Sequence, residues 1–202
     1  MRLAPIHFLD SLLQPLRSAE TAPIRWLDAG RTTPGNLVFE RVHGRGDPRF
    51  DELCALVCRD SQYWRQTQHD QMTPSSAASL LAALPMPTRP DHKYLWSLYR
   101  DDALVGCLDV VRNWPAKHTL SLGFLMIDAR FRGQGIGRAA LTHLRERTRS
   151  WAEIQRWRVA VVQTQADALR FWNAARFVET GEARQAPGQL APLIVLERRI
   201  GR

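Results

Sequence analysis

The segment "ARFRGQGIGRAAL", which runs from Ala129 to Leu141, places glycine at three alternate positions immediately before a helical pattern. It follows "TLSLGFLMID", an apolar run that predicts a strand ending at Ile127. Ile136, Ala140 and Leu144 then share one stripe, which predicts a helix after the glycines. The N–H groups at the start of a helix have no partners within it, and the helix dipole adds positive charge there. The segment therefore indicates a binding site for an anion such as phosphate.

The spacing of the glycines distinguishes this loop from two other phosphate-binding loops. A dinucleotide-binding G-x-G-x-x-G fingerprint needs glycine where this chain has Arg138, and a P-loop needs a lysine that the segment lacks. What remains is an R-x-x-G-x-G pattern formed by Arg132, Gly135 and Gly137. This pattern resembles the acetyl-CoA loop of the GCN5-related N-acetyltransferase (GNAT) superfamily, in which consecutive loop amides hold the pyrophosphate.

A second segment, "VAVVQTQADALRFWNAARFVETG", supports the same resemblance. It predicts a strand followed by a helix, and it is similar to the family pattern N-x-x-A-x-x-x-Y-x-x-x-G-F, with Gln165, Ala168 and Phe177 at matching positions. The resemblance extends in element order from about residue 37 to the C-terminus. It implies an α/β (α+β) fold with a mixed, mostly antiparallel central sheet, flanked by helices and splayed at the acetyl-CoA strand.

The remaining elements agree with such a sheet. Helical spacing predicts helices in "DPRFDELCALVCRDSQYW", "TPSSAASLLAAL" and "DALRFWNAAR", while "KYLWSLYRDD" and "ALVGCLDVVR" predict a hairpin that turns at Asp101 and Asp102. Further strands are predicted in "NLVFERV", "RWRVAVV", "RFVETGE" and "PLIVLERRI". Residues 1–36 are rich in turn residues and are interpreted as an N-terminal extension to a domain over residues 37–202.

The resemblance also implies which residues bind acetyl-CoA, the acyl donor. The pantetheine arm would lie along the strand before the loop, where a backbone N–H, that of Met126 or Ile127, would donate to the thioester oxygen. Gln165 would contact the arm from the facing strand, and Trp172 would pack against it. The cofactor-binding residues predicted in this way are Leu125, Met126, Ile127, Arg132, Gly133, Gln134, Gly135, Ile136, Gly137, Arg138, Gln165 and Trp172, with Met126 as the oxyanion donor.

The chain departs from the family at the groups that move protons. No carboxylate lies between Arg112 and Ile127, so Asp109 is the candidate general base, although a solvent-facing or capping role is equally open. Asp128 is expected to tether the loop or to cap the turn. Trp172 stands where relatives often have a tyrosine acid, and an indole does not titrate usefully.

The acceptor is less well indicated. An aromatic and polar cluster is formed by Tyr63, Trp64, Gln66, His69 and Asp70. It predicts either an acceptor pocket, with Tyr63, Trp64 and His69 as the candidate binding residues, or a half-buried helix end. The main hypothesis is acetyl transfer to an amine of a small molecule. The alternatives are a protein amine or an aminoacyl-tRNA as acceptor, or an acyl-CoA-binding module without turnover.

Composition and charge limit which partners and which location are expected for the protein. The formal net charge of +8 suits an anionic partner, but the arginines are spread along the whole chain instead of forming a basic arm. No apolar run approaches the length of a membrane span, and no secretory signal is recognised, so a cytoplasmic protein is expected. The three cysteines are interpreted as free thiols, and no metal site is predicted. The N-terminal extension could act as a lid, a brace or the arm of a homodimer.

Overall fold

The computed structural model describes residues 37–200, which form a seven-stranded sheet with helices on both faces. The strands are β1 (Leu37–Val42), β2 (Lys93–Arg100), β3 (Ala103–Arg112), β4 (Thr119–Ile127), β5 (Arg156–Val162), β6 (Val178–Arg184) and β7 (Leu193–Arg199). The α-helices are α1 (Pro48–Arg59), α2 (Ser61–Thr67), α3 (Pro74–Ala82), α4 (Ile136–Arg149) and α5 (Ala166–Ala174). Short 3₁₀ helices occupy Pro90–His92 and Ala129–Phe131.

The sheet has the order β1-β2-β3-β4-β5-β7-β6. β4 and β5 are parallel, whereas the other neighbouring strands in this part of the chain are antiparallel. Pairing between β4 and β5 ends at Leu122 and Val159, although β4 continues to Ile127 and β5 to Val162. The two strands therefore separate over their last residues, which confirms the predicted splay. We call the space between them the gap.

The predicted hairpin is confirmed, with Arg100 paired to Ala103 across a two-residue turn. Asp101 and Asp102 occupy this turn at φ 49° and 61°. Two consecutive left-handed residues match the twist of the flanking strands, and aspartate tolerates that conformation better than most residues.

The first predicted helical run is divided in two. Asp60 ends α1 and caps α2, because its carboxylate accepts a hydrogen bond from the Tyr63 N–H at 3.2 Å. Asp47 and Thr73 cap α1 and α3 in the same way, and each precedes a proline at the first helical position. The break at Asp60 lets α2 turn away from α1.

Two hydrophobic cores lie on opposite faces of the sheet. The α4-side core packs Ile136, Ala140 and Leu144 of α4 against alternate residues of the central strands. The α1-side core packs α1, α2 and α3 against the other face, including Phe124 and Met126 of β4. Alternation along β4 and β5 thus assigns each side chain beside the gap to one of the two faces.

The predicted N-terminal extension, residues 1–36, lies outside the described residues. Within residues 37–200, no helix has the length and apolar character needed to cross a lipid bilayer.

Candidate functional site

The glycine loop connects β4 to α4 through two left-handed glycines. Gly133 has φ 73°, and Gly135, which immediately precedes α4, has φ 80°. A Cβ at Gly133 would meet nothing within 4 Å, so the loop is open on that side. No side chain caps the start of α4. No side chain therefore occupies the backbone N–H groups at the start of the helix, as binding of an anion requires.

Five consecutive N–H groups of this loop, those of residues 133–137, have no acceptor among residues 37–200. The neighbouring N–H groups differ, because Arg132 donates to the Ala129 carbonyl at 3.4 Å and Ala139 donates to the Gly135 carbonyl at 3.0 Å. These five donors stand at the positive end of a 14-residue helix. The arrangement fits a diphosphate, which could accept from several of them at once.

Arginine–aspartate pairs brace the loop from both sides. The Arg132 guanidinium donates to the Ile127 carbonyl at 3.0 Å and pairs with Asp60 at the start of α2. Asp128 accepts from the Arg130 N–H at 3.0 Å and from its guanidinium at 2.7 Å. Asp128 therefore tethers the loop, as its position in the sequence predicts. Arg132 has protein partners for both its backbone N–H and its side chain, so we assign it to holding the loop in position.

The Asp128 brace makes stability depend on pH in a defined direction. Hydrogen bonding from Arg130 lowers the pKa of Asp128 from an ordinary 3.8 to about 2. A lowered folded-state pKa means that the stabilisation is complete above pH 4 and is lost as the pH falls towards 2. Because Arg130 is exposed, we expect Asp128→Asn to lower the free energy of unfolding by only roughly 1 kcal/mol at neutral pH. Urea unfolding should show the two proteins converging as the pH falls below 4, and a difference that stays constant would contradict the brace.

The direction of the β4 amides decides which of them can face the gap. The Asp128 N–H donates to the Val105 carbonyl of β3 at 2.9 Å, and Met126 pairs with Cys107 two residues earlier. In an antiparallel pair, residues two apart point their amides to the same side. The Met126 N–H therefore points to β3, and those of Leu125 and Ile127 point into the gap. This corrects the expectation that Met126 is the oxyanion donor, since its amide is used within the sheet.

Close contact between β3 and β4 keeps this edge in place. A Cβ at Gly106 would lie 2.5 Å from the Met126 carbonyl oxygen, a distance that no side chain could tolerate. Glycine at this position lets the two strands approach at the segment where Leu125 and Ile127 face the gap.

On the far side of the gap, α5 carries the other predicted cofactor residues. Gln165 precedes α5, and its side-chain amide donates to the Gln66 side chain of α2 at 3.3 Å. Trp172 is buried in the α4-side core, edge-on to Phe171 and Phe177. Its packing role is that of a core residue. Arg176, where the family pattern has glycine, takes the left-handed conformation at φ 64° that the glycine would suit.

Asp109 is buried in an ion pair. Both of its carboxylate oxygens accept from the Lys93 ammonium, at 2.9 and 2.8 Å, and the residue is 3% exposed. Burial raises the pKa of Asp109, while the charge of Lys93 opposes that rise. A general base must reach the proton it removes. This geometry does not support Asp109 as the base, and we reassign it to holding β2 and β3 together.

Asp109→Asn separates these two roles. Because it leaves the Lys93 ammonium buried without its carboxylate, we expect it to lower the free energy of unfolding by about 3 kcal/mol. The double variant Lys93→Met/Asp109→Leu should recover most of this loss, since it removes both charges. The logarithm of kcat/KM should still rise with unit slope towards an amine pKa of about 10.4 in the folded Asp109→Asn protein. A fall in kcat of about a hundredfold with loss of that slope would instead show that Asp109 is the base.

Two of the three predicted acceptor residues lie together on α2. The Trp64 ring stacks on Phe124 of β4 with centroids 5.9 Å apart, and its indole N–H donates to the Val57 carbonyl at 2.6 Å. Tyr63 lies edge-on to Trp64 at 4.7 Å, and burial raises its pKa to about 12. His69 is exposed and lies beyond the end of α2. The structure therefore places Trp64 against β4 and Tyr63 next to Trp64, but it does not bring His69 into their cluster.

Sequence patterns did not predict two residues that shape the site. Asp60 and Lys93 make their contacts with residues 72 and 16 positions away, respectively. Each is an ordinary polar residue in a helical or strand pattern, and no local motif marks it. Among residues 37–200, no group of three or more histidine, cysteine, aspartate or glutamate side chains is placed to hold a metal.

Comparison with known protein families assigns the region that contains the glycine loop to one family. A family model described as the acetyltransferase (GNAT) family matches residues 55–176, which include α2, the gap, the glycine loop and α5. No curated protein sequence matches the chain.

Solved structures resemble the fold at low sequence identity. An acetyltransferase from Thermus thermophilus is 20% identical with a TM-score of 0.60, and the match covers 81% of this chain and 97% of that one. A GNAT family acetyltransferase from Elizabethkingia anophelis with acetyl-CoA bound is 14% identical with a TM-score of 0.53, covering 82% and 99%. An acetyl transferase from Salmonella typhimurium that modifies the N-terminal serine of ribosomal protein L7/L12 is 15% identical with a TM-score of 0.63, covering 82% and 95%.

Proposed function

The chain belongs to the acetyltransferase (GNAT) family, and we propose that it moves an acetyl group from acetyl-CoA to the primary amine of a small molecule. The acyl donor is acetyl-CoA, and the enzyme class is acyltransferase. The observation that carries the assignment of the site is the run of five N–H groups without acceptors, residues 133–137, beside the gap.

The residues around the gap would have separate roles in binding acetyl-CoA and in the reaction. The N–H groups of residues 133–137 would bind the diphosphate, and the Ile127 N–H would pair with an amide of the pantetheine arm. The Leu125 N–H would donate to the thioester oxygen and stabilise the negative charge that develops there. When bound, acetyl-CoA supplies an acetyl group that is already activated as a thioester.

Proton transfer would need little help from the chain. A CoA thiol has a pKa near that of cysteine, about 8.5, so it can leave as thiolate without an acid. Trp172 therefore need not replace the tyrosine of relatives, because its indole supplies packing only. The acceptor would be taken up as the neutral amine, which is why kcat/KM is expected to rise with unit slope against pH. After attack on the thioester carbon, the amine nitrogen would lose one proton to the departing thiolate or to water as the C–S bond breaks, so that the products are the amide and CoA thiol.

A two-step experiment tests the proposal. Acetyl-CoA at about 100 times its Kd should add about 2.7 kcal/mol of stability in a thermal-shift assay. Release of CoA thiol should then require both acetyl-CoA and a small primary amine. Stabilisation without thiol release from any amine would instead indicate a binding module. Thiol release only with a ribosomal protein or an aminoacyl-tRNA would show that the acceptor is a macromolecule.

A further inference from the structure

The fold sorts the arginines that are spread along the whole sequence. Helices α4 and α5, together with Arg176 and Arg198 at the end of α5, carry seven arginines and two carboxylates. The arginines are Arg138, Arg145, Arg147, Arg149, Arg170, Arg176 and Arg198, and the carboxylates are Glu146 and Asp167. Residues 48–82, which supply the helices of the other face, carry three arginines and four carboxylates. Positive charge is therefore in excess on the α4 side of the sheet and not on the α1 side.

Three of these arginines come together at the end of α5. The Arg198 guanidinium donates to the carbonyl of Ala175, the C-cap of α5, at 2.7 Å, and Arg176 is the next residue along the chain. Arg198 is 8% exposed, and burial together with the charges of Arg145 and Arg176 lowers its pKa from 12.5 to about 10. Guanidinium groups gathered in this way repel one another, and an anion bound among them would remove that cost.

Helix α4 continues this cluster along its axis. Arg145 and Arg149 are four residues apart and therefore lie on the same flank of the helix. Arg145 is about 14 Å along the axis from the start of α4, and Arg149 is about 6 Å further on. We call Arg145, Arg149 and Arg176, with Arg198 beneath them, the basic face. Because it begins about 14 Å from the start of α4, the basic face is separate from the N–H groups of residues 133–137.

The chemistry of the basic face favours the phosphate groups of a nucleic-acid duplex. Its cations are all guanidinium groups, whose paired N–H donors match the oxygens of a phosphate. Within α4 and α5 no aromatic ring is exposed, so neither helix offers a surface on which an unpaired base could stack. Neither helix exposes a large apolar side chain that could enter a lipid surface. A duplex backbone requires cations at fixed positions and neither of these features.

We propose that the basic face is a docking surface for the sugar–phosphate backbone of a double-stranded nucleic acid. The inference goes beyond the proposed function, because this surface lies apart from the glycine loop and takes no part in acyl transfer. One phosphate would lie over Arg198, between Arg145 and Arg176, and the backbone would continue along α4 to Arg149. Contacts with the backbone alone carry no information about base sequence, so binding should depend on salt and not on sequence.

Salt-dependent binding of a short labelled RNA duplex, measured by fluorescence anisotropy, tests the proposal, and a DNA duplex of the same length distinguishes the two sources of such a backbone. Arg149→Gln/Arg176→Gly removes two charges at exposed positions, and glycine suits the φ of 64° at residue 176. The slope of log Kd against log salt concentration should fall by about 2 relative to wild type. Arg45→Gln/Lys117→Gln removes two exposed charges elsewhere and should leave the slope within about 0.5 of wild type.

Equal slopes in the two double variants would overturn the proposal, because the binding would then reflect net charge and not this surface. Binding of wild type to vesicles of anionic lipid, or to polyglutamate, as tightly as to either duplex would overturn it as well. Acetyl-CoA should stabilise Arg149→Gln/Arg176→Gly as much as wild type, which also shows that the variant is folded. A loss of acetyl-CoA affinity of more than about threefold would instead assign these arginines to the cofactor site.

Discussion

Gly135→Glu is expected to abolish acetyl-CoA binding, with a loss of at least about a hundredfold in affinity, about 2.8 kcal/mol. Gly135 immediately precedes α4 at φ 80°, in the middle of the five N–H groups without acceptors. A glutamate there would place a carboxylate where the diphosphate binds and would compete for the same donors. It would also occupy a backbone conformation that costs a side chain about 1 kcal/mol. Calorimetric titration with acetyl-CoA measures the effect.

Gly181→Glu is the matched control. Gly181 has nearly the same φ, 82°, and a Cβ there would meet nothing within 4 Å. It lies in β6, away from the glycine loop. The two variants should therefore lose similar stability, and only Gly135→Glu should lose affinity. Equal affinities in the two variants would show that the loop is not the phosphate site.

Leu125→Pro should lower kcat by a factor of about 100 to 1,000, the usual cost of one oxyanion donor. The Leu125 N–H points into the gap, so proline removes no hydrogen bond between β3 and β4. Affinity for acetyl-CoA should change only a few fold, since the diphosphate donors are intact. Leu125→Ala keeps the N–H and should retain kcat within about threefold of wild type.

Stopped assays with saturating acetyl-CoA and cadaverine separate kcat from binding for these variants. If Leu125→Pro keeps the wild-type kcat, the donor is another group and the assignment from strand register is wrong. If Leu125→Ala loses as much as Leu125→Pro, the side chain and not the N–H is responsible.

The glycine loop and the order of elements could be predicted because the signals are local. Gly133 and Gly135 occupy the left-handed positions that their spacing predicts, and α4 begins where its apolar stripe begins. The hairpin at Asp101 and Asp102 was likewise marked by two turn residues between apolar runs. In these places the conformation is set by a few neighbouring residues.

The rest of the site depends on contacts between distant segments. The pattern of β4 shows which side chains share a face, but the direction of its amides depends on the pairing with β3, where the register shifts between Asp109 and Val110. The alternation of residues in the sequence therefore could not show whether the N–H of Met126 or that of a neighbouring residue faces the gap. Asp109 is a similar case, because its partner Lys93 lies on another strand. The sequence presents Asp109 as a candidate base, whereas the fold buries it in an ion pair with Lys93. The contact between residues 67–69 and 188–190 joins main-chain groups, which no side-chain pattern in the sequence can mark.

An NMR titration of the backbone amides of residues 133–137 shows directly whether the glycine loop receives the diphosphate. Acetyl-CoA should shift these five amide protons strongly downfield, because charge-assisted bonds to phosphate are short. S-acetylpantetheine, which has the thioester and the arm but no diphosphate, should leave them nearly unchanged while it shifts Leu125 and Ile127. If acetyl-CoA binds and the amide protons of residues 133–137 do not shift, the glycine loop does not receive the diphosphate.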